Sequence, residues 1–311
     1  MMQHPESSGC DRTHRLRIAV AIATAGRPGL LGRTLSWLRA QSYPAVAIFV
    51  CAPSVADVEG IPIDQLEIEL LVGVRGSCVQ RNAIIERVTD FDVIAFFDDD
   101  FVPRSDYLER MAEIFLAHPE VVVATGHVVA DGANGPGYEF DQAQAILQMD
   151  AARVESEPFI RDVYNGYGCN MAVRTAVLQR HAIFFDELLP LYGWLEDVDL
   201  SRRLARHGRI VGVTQMRGVH LGTKKGKQPG KRLGYSQIAN PVYLARKGTL
   251  SWPRALRQLL RNVAANLLGT LRPEPYIDRR GRVAGNAIAF RHLLVGKLDP
   301  RRVLSVDPSR S

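Results

Sequence analysis

Cysteine is scarce in this 311-residue chain, and Cys10, Cys51, Cys78 and Cys169 form no Cys-x-x-Cys pair. That argues against a zinc site or a disulfide framework and makes a reducing cytosol the natural home. No apolar run reaches the roughly 18–20 residues a membrane helix needs. The opening MMQHPESSGCDRTHRLR has no secretion-signal core, so residues 1–15 read as a disordered lead-in. A GxGxxG fingerprint and a Ser/His/Asp order are also missing, which leaves dinucleotide enzymes and triad hydrolases without support. No internal repeat or low-complexity tract is present.

Acidic residues are nearly absent from the last third. Residues 201–311 hold 24 Lys and Arg against 4 Asp and Glu, while the first 200 hold 15 against 29. An acidic body with a basic end points to an anionic partner there, such as phosphate, lipid headgroups or nucleic acid, or to pairing of the tail with the body. No recognisable nucleic-acid reading module accompanies the charge, so no nucleic acid is expected as a partner.

Hydrophobic content of 46% with 23% charge suits a globular protein. Apolar β-branched runs at 17–25, 46–52, 66–73, 91–97 and 121–130 read as buried strands. They alternate with amphipathic segments such as GLLGRTLSWLRAQ, SCVQRNAIIERV and SDYLERMAEIFLAHP. Ser77 is a candidate N-cap for the second helix, and Ser105 or Asp106 for the third. This alternation predicts an α/β fold, a mostly parallel sheet flanked by helices. Ligands of such sheets sit outside the carboxyl ends of the strands, where ATAGRP and DDDFVP fall. Residues 131–170 are harder to read. Helices are expected at 173–182 and at VDLSRRLARHG, with Gly208 as its C-cap candidate. Strand 209–216, a Gly/Lys-rich loop at 220–232 and further helices follow. His127, on an apolar strand, reads as a satisfied core residue.

Asp98, Asp99 and Asp100 follow an apolar strand without a break, a repulsive cluster unless a cation is near. Residues i and i+2 at a strand end face one side, so Asp98 and Asp100 are placed to share a divalent ion while Asp99 faces elsewhere. Oxygen ligands favour magnesium or manganese. A second acidic cluster, Glu196, Asp197 and Asp199, opens a basic helix. Carboxylates suit a helix start, but one of them held in a cleft is also suited to accept a proton.

Five blocks stand in order: AVAIATAGRP…LGRTLSWLRAQSYP, RGSCVQRNAII, VIAFFDDDFVP, GYGCNMAVRTAVL and GWLEDVDLSRRLARHG. Together they resemble the family 2 glycosyltransferases of GT-A (Rossmann-like) fold, over roughly residues 17–222. The resemblance implies a catalytic domain over 16–222 and a basic flexible loop with a helical extension over 223–311. It implies a nucleotide-diphospho-sugar donor, with UDP favoured, bound across the strand ends. Asp98 and Asp100 fit the family's Asp-x-Asp motif for metal and diphosphate, and His220 looks like its occasional third metal ligand. Thr24, Arg81 and Asn82 match positions near the nucleotide; Arg27 and Asp99, on the same strand-end loops, are counted with them. HLGTKKGK resembles a phosphate-contacting loop, so Lys224, Lys225 and Lys227 join the donor set.

Glu196-Asp197 matches the family's Glu-Asp pair, with Asp197 as the base. One base and one in-line attack invert the anomeric centre, and the leaving phosphates need positive charge beside them. Glu196 orients Asp197 or the acceptor, and Asp199 is a helix-start acid. Asn170 and Trp194 are candidate acceptor or sugar contacts, set against a packing turn and a cleft wall. The family's acidic turn near the nucleobase is missing, and Asp57 stands at the wrong offset to replace it.

The implied activity is metal-dependent inverting transfer to a saccharide or lipid-linked acceptor, in polysaccharide, glycolipid or other cell-envelope synthesis. The alternatives are a non-catalytic sugar-nucleotide binder and a basic nucleic-acid or anionic-surface binder. The helix WPRALRQLLRNVAANLLGTLR carries a stripe of Trp252, Leu256, Leu259, Leu260, Val263 and Leu267, with Arg254, Arg257 and Arg261 opposite. It either packs that stripe on the catalytic domain or lies on an anionic membrane. The expected location is cytoplasmic, or peripheral at the inner face of the cell membrane.

Overall fold

The computed structural model describes residues 15–152, 159–224 and 229–306. The lead-in, apart from Arg15, lies outside the described residues, as do Lys225 and Lys227. The chain opens with β1 (Ile18–Ala23), α1 (Pro28–Arg39), β2 (Ala47–Ala52), β3 (Ile68–Val72), α2 (Ser77–Ile85) and β4 (Val93–Asp98). Next come β5 (Phe101–Pro103), α3 (Tyr107–Ala117), β6 (Val121–Asp131), α4 (Phe140–Ala151), β7 (Ile160–Asp162), β8 (Asn170–Arg174) and α5 (Thr175–Arg180). α6 (Glu196–Leu204), β9 (Arg209–His220), α7 (Gly230–Lys247), α8 (Trp252–Gly269) and α9 (Arg279–Leu294) complete it.

One sheet runs β3-β2-β1-β4-β8-β6-β9-β5, with β7 paired on β9. β1, β2, β3, β4, β6 and β9 share one direction, and β5, β7 and β8 oppose it. The expected mostly parallel, helix-flanked α/β sheet is therefore present, with antiparallel strands inserted in its second half. Alternation along β1 shows why both faces are covered: Ile18, Val20 and Ile22 enter one apolar cluster, Ala19 and Ala21 the other.

Register positions the chemistry. Ala23 pairs with Asp98 across β1/β4, Phe97 with Asn170 across β4/β8, and both Asp131 and Phe101 with His220 on β9. The acidic turn and the end of β9 thereby meet at one edge of the sheet.

Several local expectations are corrected. Of the helix expected at 173–182, Val173 and Arg174 instead close β8, and the helix itself is only Thr175–Arg180. Gly76, not Ser77, holds the N-cap of α2, and the Gln80 side chain accepts its N–H at 3.1 Å. Asp106 stands before α3 but makes no cap bond; Arg104 and Arg110 occupy its carboxylate. α6 ends at Leu204 with Ala205 as its C-cap, and Gly208 instead turns into β9, where a Cβ would meet the Glu120 carbonyl at 2.5 Å. His127 is exposed, because the strand twists out of the core after Gly126.

The helical extension is bound to the body. Leu244 and Ala245 of α7 sit in the core under the sheet, and Lys247 pairs with Asp186 and Asp199 at 2.5 and 2.8 Å. α7 and α9 cross at glycines: a Cβ on Gly285 would lie 2.0 Å from the Lys231 carbonyl, and one on Gly234 2.1 Å from that of Arg282. Backbone offers no give, so Gly285→Ala should cost about 1–3 kcal/mol by overpacking. Urea denaturation reads this as a lower midpoint; an unchanged midpoint would mean the two helices do not meet there.

Candidate active site

β4 delivers Asp98 at its last residue, and the turn before β5 places Asp100 on the same side. His220 closes the group from the end of β9, so that one ligand atom from each of the three lies within 4.8 Å of the others. His220 Nε2 is 3.4 Å from Asp100 Oδ1, while Nδ1 is 2.9 Å from Asp131 Oδ1. Nδ1 donates to Asp131, and loss of the Nε2 proton to an incoming cation would turn a lone pair toward the two aspartates, the arrangement in which a carboxylate orients a metal-binding imidazole. Tyr167 donates its hydroxyl to the other Asp131 oxygen at 3.0 Å, and the Thr223 N–H donates to Asp100 at 2.9 Å.

Burial alone would raise the Asp100 carboxyl, but the hydrogen bond and charge of His220, with Arg27, hold it below the ordinary range. Burial would lower His220, and its bonds to Asp100 and Asp131 outweigh that, raising it to about 10. Two carboxylates and an imidazole are a fitting donor set for a divalent cation.

Asp99 points the other way and is fully buried. Thr24 donates its hydroxyl to Asp99 at 2.6 Å, and the Arg27 guanidinium pairs with both Asp99 and Asp100. Asp99 and the Thr24 hydroxyl are engaged with each other and with Arg27, and so brace the turn beneath the donor-side residues. Arg27, partly exposed, remains at the cleft margin.

Arg81 links the two acidic clusters. Its guanidinium, 2% exposed, donates to Glu196 at 2.8 Å, to Asp98 at 2.9 Å and to the Gly168 carbonyl at 2.9 Å. Gly168 in turn donates its N–H to Asp197 Oδ2 at 3.1 Å, and Asp98 donates its own N–H to the Cys169 carbonyl at 3.2 Å. The 168–169 turn thus lies between Asp98 and Asp197, and a Cβ on Gly168 would sit 3.0 Å from Glu196 Oε1.

α6 begins after Leu195, a non-glycine residue at φ 75°, with Leu191 at φ 61° two residues before Gly193. Side chains adopt this left-handed region at a cost of roughly 1–2 kcal/mol each; here the Ser77 N–H donates to the Leu191 carbonyl and the Glu196 N–H to the Gly193 carbonyl, both at 2.8 Å, and hold the segment. Glu196 is buried against Arg81; burial, then the neighbouring Asp197 charge, raises its carboxyl. Asp197 is half-buried and open to the cleft. Burial raises it despite the N–H bonds from Gly168 and Val198, which suits a proton acceptor better than an ordinary aspartate.

Other candidates belong to the framework. Asn82 spends its amide on Phe185 and Glu187, tying α2 to the loop before α6. Asn170 is fully buried, accepting from Thr125 at 2.7 Å and donating to the Gly126 carbonyl at 3.2 Å, so its amide is engaged within the sheet. Asp199 is no solvated helix-start acid: it is buried among Lys247, Thr249 and Arg203. Lys224 donates to the Gly132 and Ala133 carbonyls, which fixes it at the rim. Lys225 and Lys227 fall outside the described residues. Trp194 is half-buried, its carbonyl held by Asn240 at 2.7 Å. Asp57 accepts the Gly26 N–H at 2.5 Å and so does stand beside the ATAGRP loop, despite its offset.

Two residues at the site went unmarked in the sequence, Asp131 and Tyr167. Asp131 had a signal: it ends an apolar strand just as Asp98 does.

The mixed α/β sheet, with an Asp-Asp-His group at its strand ends beside the Glu196-Asp197 pair, has the architecture of the GT-A glycosyltransferases. The chain belongs to the family described as glycosyltransferase like family 2, whose model matches residues 14–219. No curated protein matches it. Among solved structures, the mannosyltransferase PcManGT from Pyrobaculum calidifontis, in complex with GDP-Man and Mn2+, is 16% identical with TM-score 0.53. The alignment covers 98% of this chain and 89% of that one. S. aureus TarS 1-349 is 14% identical with TM-score 0.55, covering 93% and 90%; its complex with UDP-GlcNAc is 15% identical with TM-score 0.54, covering 94% and 84%. Against the longer S. aureus TarS structure the chain spans 40% of that length.

Removing Arg81 would leave Asp98 and Glu196 uncompensated in the interior. Arg81→Gln should therefore cost about 3–5 kcal/mol, read in a denaturant melt. Asn170→Ala should cost about 1–3 kcal/mol while leaving nucleotide affinity of the folded protein unchanged. A loss of affinity at unchanged stability would return Asn170 to the binding site.

Proposed function

We propose that this glycosyltransferase moves a sugar from a nucleotide-diphosphate donor to a hydroxyl acceptor with inversion, using a divalent cation, magnesium or manganese. Asp98, Asp100 and His220 would hold the cation. When bound, it supplies positive charge to the leaving diphosphate. Arg27, at the margin of the same turn, adds fixed positive charge beside it. Asp197 accepts the proton of the attacking hydroxyl. Glu196 acts through Arg81, holding the guanidinium that sets the spacing between Asp197 and Asp98. Trp194 offers a partly open aromatic surface for an acceptor sugar.

The observation that carries this reading is the Arg81 bridge, which joins the metal-type cluster and the proton-accepting cluster in one cleft. Support for the donor class comes from the GDP-Man, UDP and UDP-GlcNAc complexes of the similar structures. UDP is favoured by the family resemblance. The acceptor is a saccharide or lipid-linked hydroxyl in polysaccharide, glycolipid or other cell-envelope synthesis, with the enzyme in the cytoplasm or at the inner membrane face. No helix among the described residues is long and apolar enough to cross a membrane.

A thermal-shift screen of nucleoside diphosphates with and without Mn2+ should show stabilisation that follows mass action. Asp98→Ala and Asp100→Ala should remove its metal-dependent part. Asp197→Asn should keep donor binding and lose roughly 10²–10⁴-fold in transfer; transfer at the wild-type rate would remove the base from the scheme.

A further inference from the structure

α8 has three faces. At 100° per residue, Ala255, Leu259 and Asn266 share one arc, and all three are buried, Ala255 in the core under the sheet and Leu259 within the extension. Asn266 donates to Gln237 of α7 at 2.8 Å and to Asn286 of α9 at 3.0 Å, so this arc is the packed one. Trp252, Leu256, Leu260 and Leu267 fall in the next arc, and they are 48%, 50%, 64% and 52% exposed. Leu271 continues that arc beyond the helix end at 79%. Arg254, Arg257 and Arg261 take the third arc. Arg254 lies over the Tyr164 ring, but among the described residues Arg257 and Arg261 have no ion-pair partner.

The apolar stripe read in the sequence is therefore divided: Leu259 and Val263 pack inward, and the rest is bare. Half of the large exposed apolar side chains among the described residues lie at Trp252 or beyond, including Leu294 and Val295 at the end of α9. A row of bare apolar side chains on one helix arc, beside arginines without ion-pair partners among the described residues, fits a binding surface better than singly scattered exposed residues do.

We propose that the outer face of α8 docks on an anionic lipid bilayer, its leucines and Trp252 entering the headgroup boundary and Arg257 and Arg261 meeting lipid phosphates. Charge selects this occupant. No Asp or Glu occurs between Leu250 and Pro273, so the face offers nothing to a basic partner. A second copy across a two-fold axis would set these arginines against their own symmetry mates. An anionic surface satisfies both the stripe and the charge, as amphipathic interfacial helices do. The proposal does not rest on the donor or metal assignment, and its assay reads no turnover.

The test is co-sedimentation of the full chain with vesicles of phosphatidylcholine containing roughly one third phosphatidylglycerol, at low and physiological salt. Wild-type protein should pellet with these vesicles and not with pure phosphatidylcholine, and less at higher salt. Arg257→Glu/Arg261→Glu should weaken binding by about fivefold or more per position. Leu256→Asp/Leu260→Asp should abolish it, with an unchanged melting temperature because both positions are exposed. Three results would each overturn the proposal: no wild-type pelleting at low salt, equal binding to neutral vesicles, or undiminished binding by the leucine variant. So would a stable dimer in sedimentation equilibrium that the leucine variant dissolves while vesicle binding is absent, since a second copy would then be the occupant.

Discussion

A buried guanidinium holds two distant stretches of this chain at a fixed spacing. Arg81 takes Glu196 on one side and Asp98 on the other, and also donates to the Gly168 carbonyl. Without that charge, Asp98, Glu196 and Asp197 would crowd one poorly solvated volume and repel one another. With it, the repulsion becomes a scaffold, and breaking such a buried set is far costlier than its net contribution to stability suggests. α2 is itself pinned for the task, since Gln80 one residue earlier donates to the Thr24 and Cys51 carbonyls at the ends of β1 and β2.

Around this bridge the polar residues divide by what their side chains still have to offer. Thr24, Asn82, Asp99, Asn170 and Asp199 are buried with their groups already engaged by the protein. They determine where the loops lie. Asp98, Asp197 and Arg27 retain some exposure, and His220 keeps a ring nitrogen turned to the aspartates. These are the groups that can meet a ligand. The extension joins the framework side, because Asp199 at the start of α6 anchors Lys247 at the end of α7.

β1, β2 and β4 were legible because each is a short continuous apolar run, the pattern of a strand buried on both faces. β8 was not: it passes directly into a helix, and its last two residues open the run VRTAVLQRHA, which reads as helical. β5, three residues long, is too short for any period, and α4 lies in the Gly- and Asn-rich stretch that gave no clear signal. In the site, the pairing of Asp98 with Asp100 followed from the two-residue alternation of a strand. What a single sequence does not reveal is whether a polar residue at a strand end faces a ligand or a partner across the fold. Asn82 meets residues 103 and 105 positions away, and Thr24 meets Asp99 at a separation of 75. Only the folded register shows that those side chains are used up.

The most direct test is a crystal structure of the full chain with a nucleoside diphosphate and Mn2+. The ion should sit among Asp98, Asp100 and His220 against the diphosphate, with the Asp197 carboxylate facing the same cleft from across Arg81. An ion bound elsewhere, or Asp197 turned away from the diphosphate, would contradict the account.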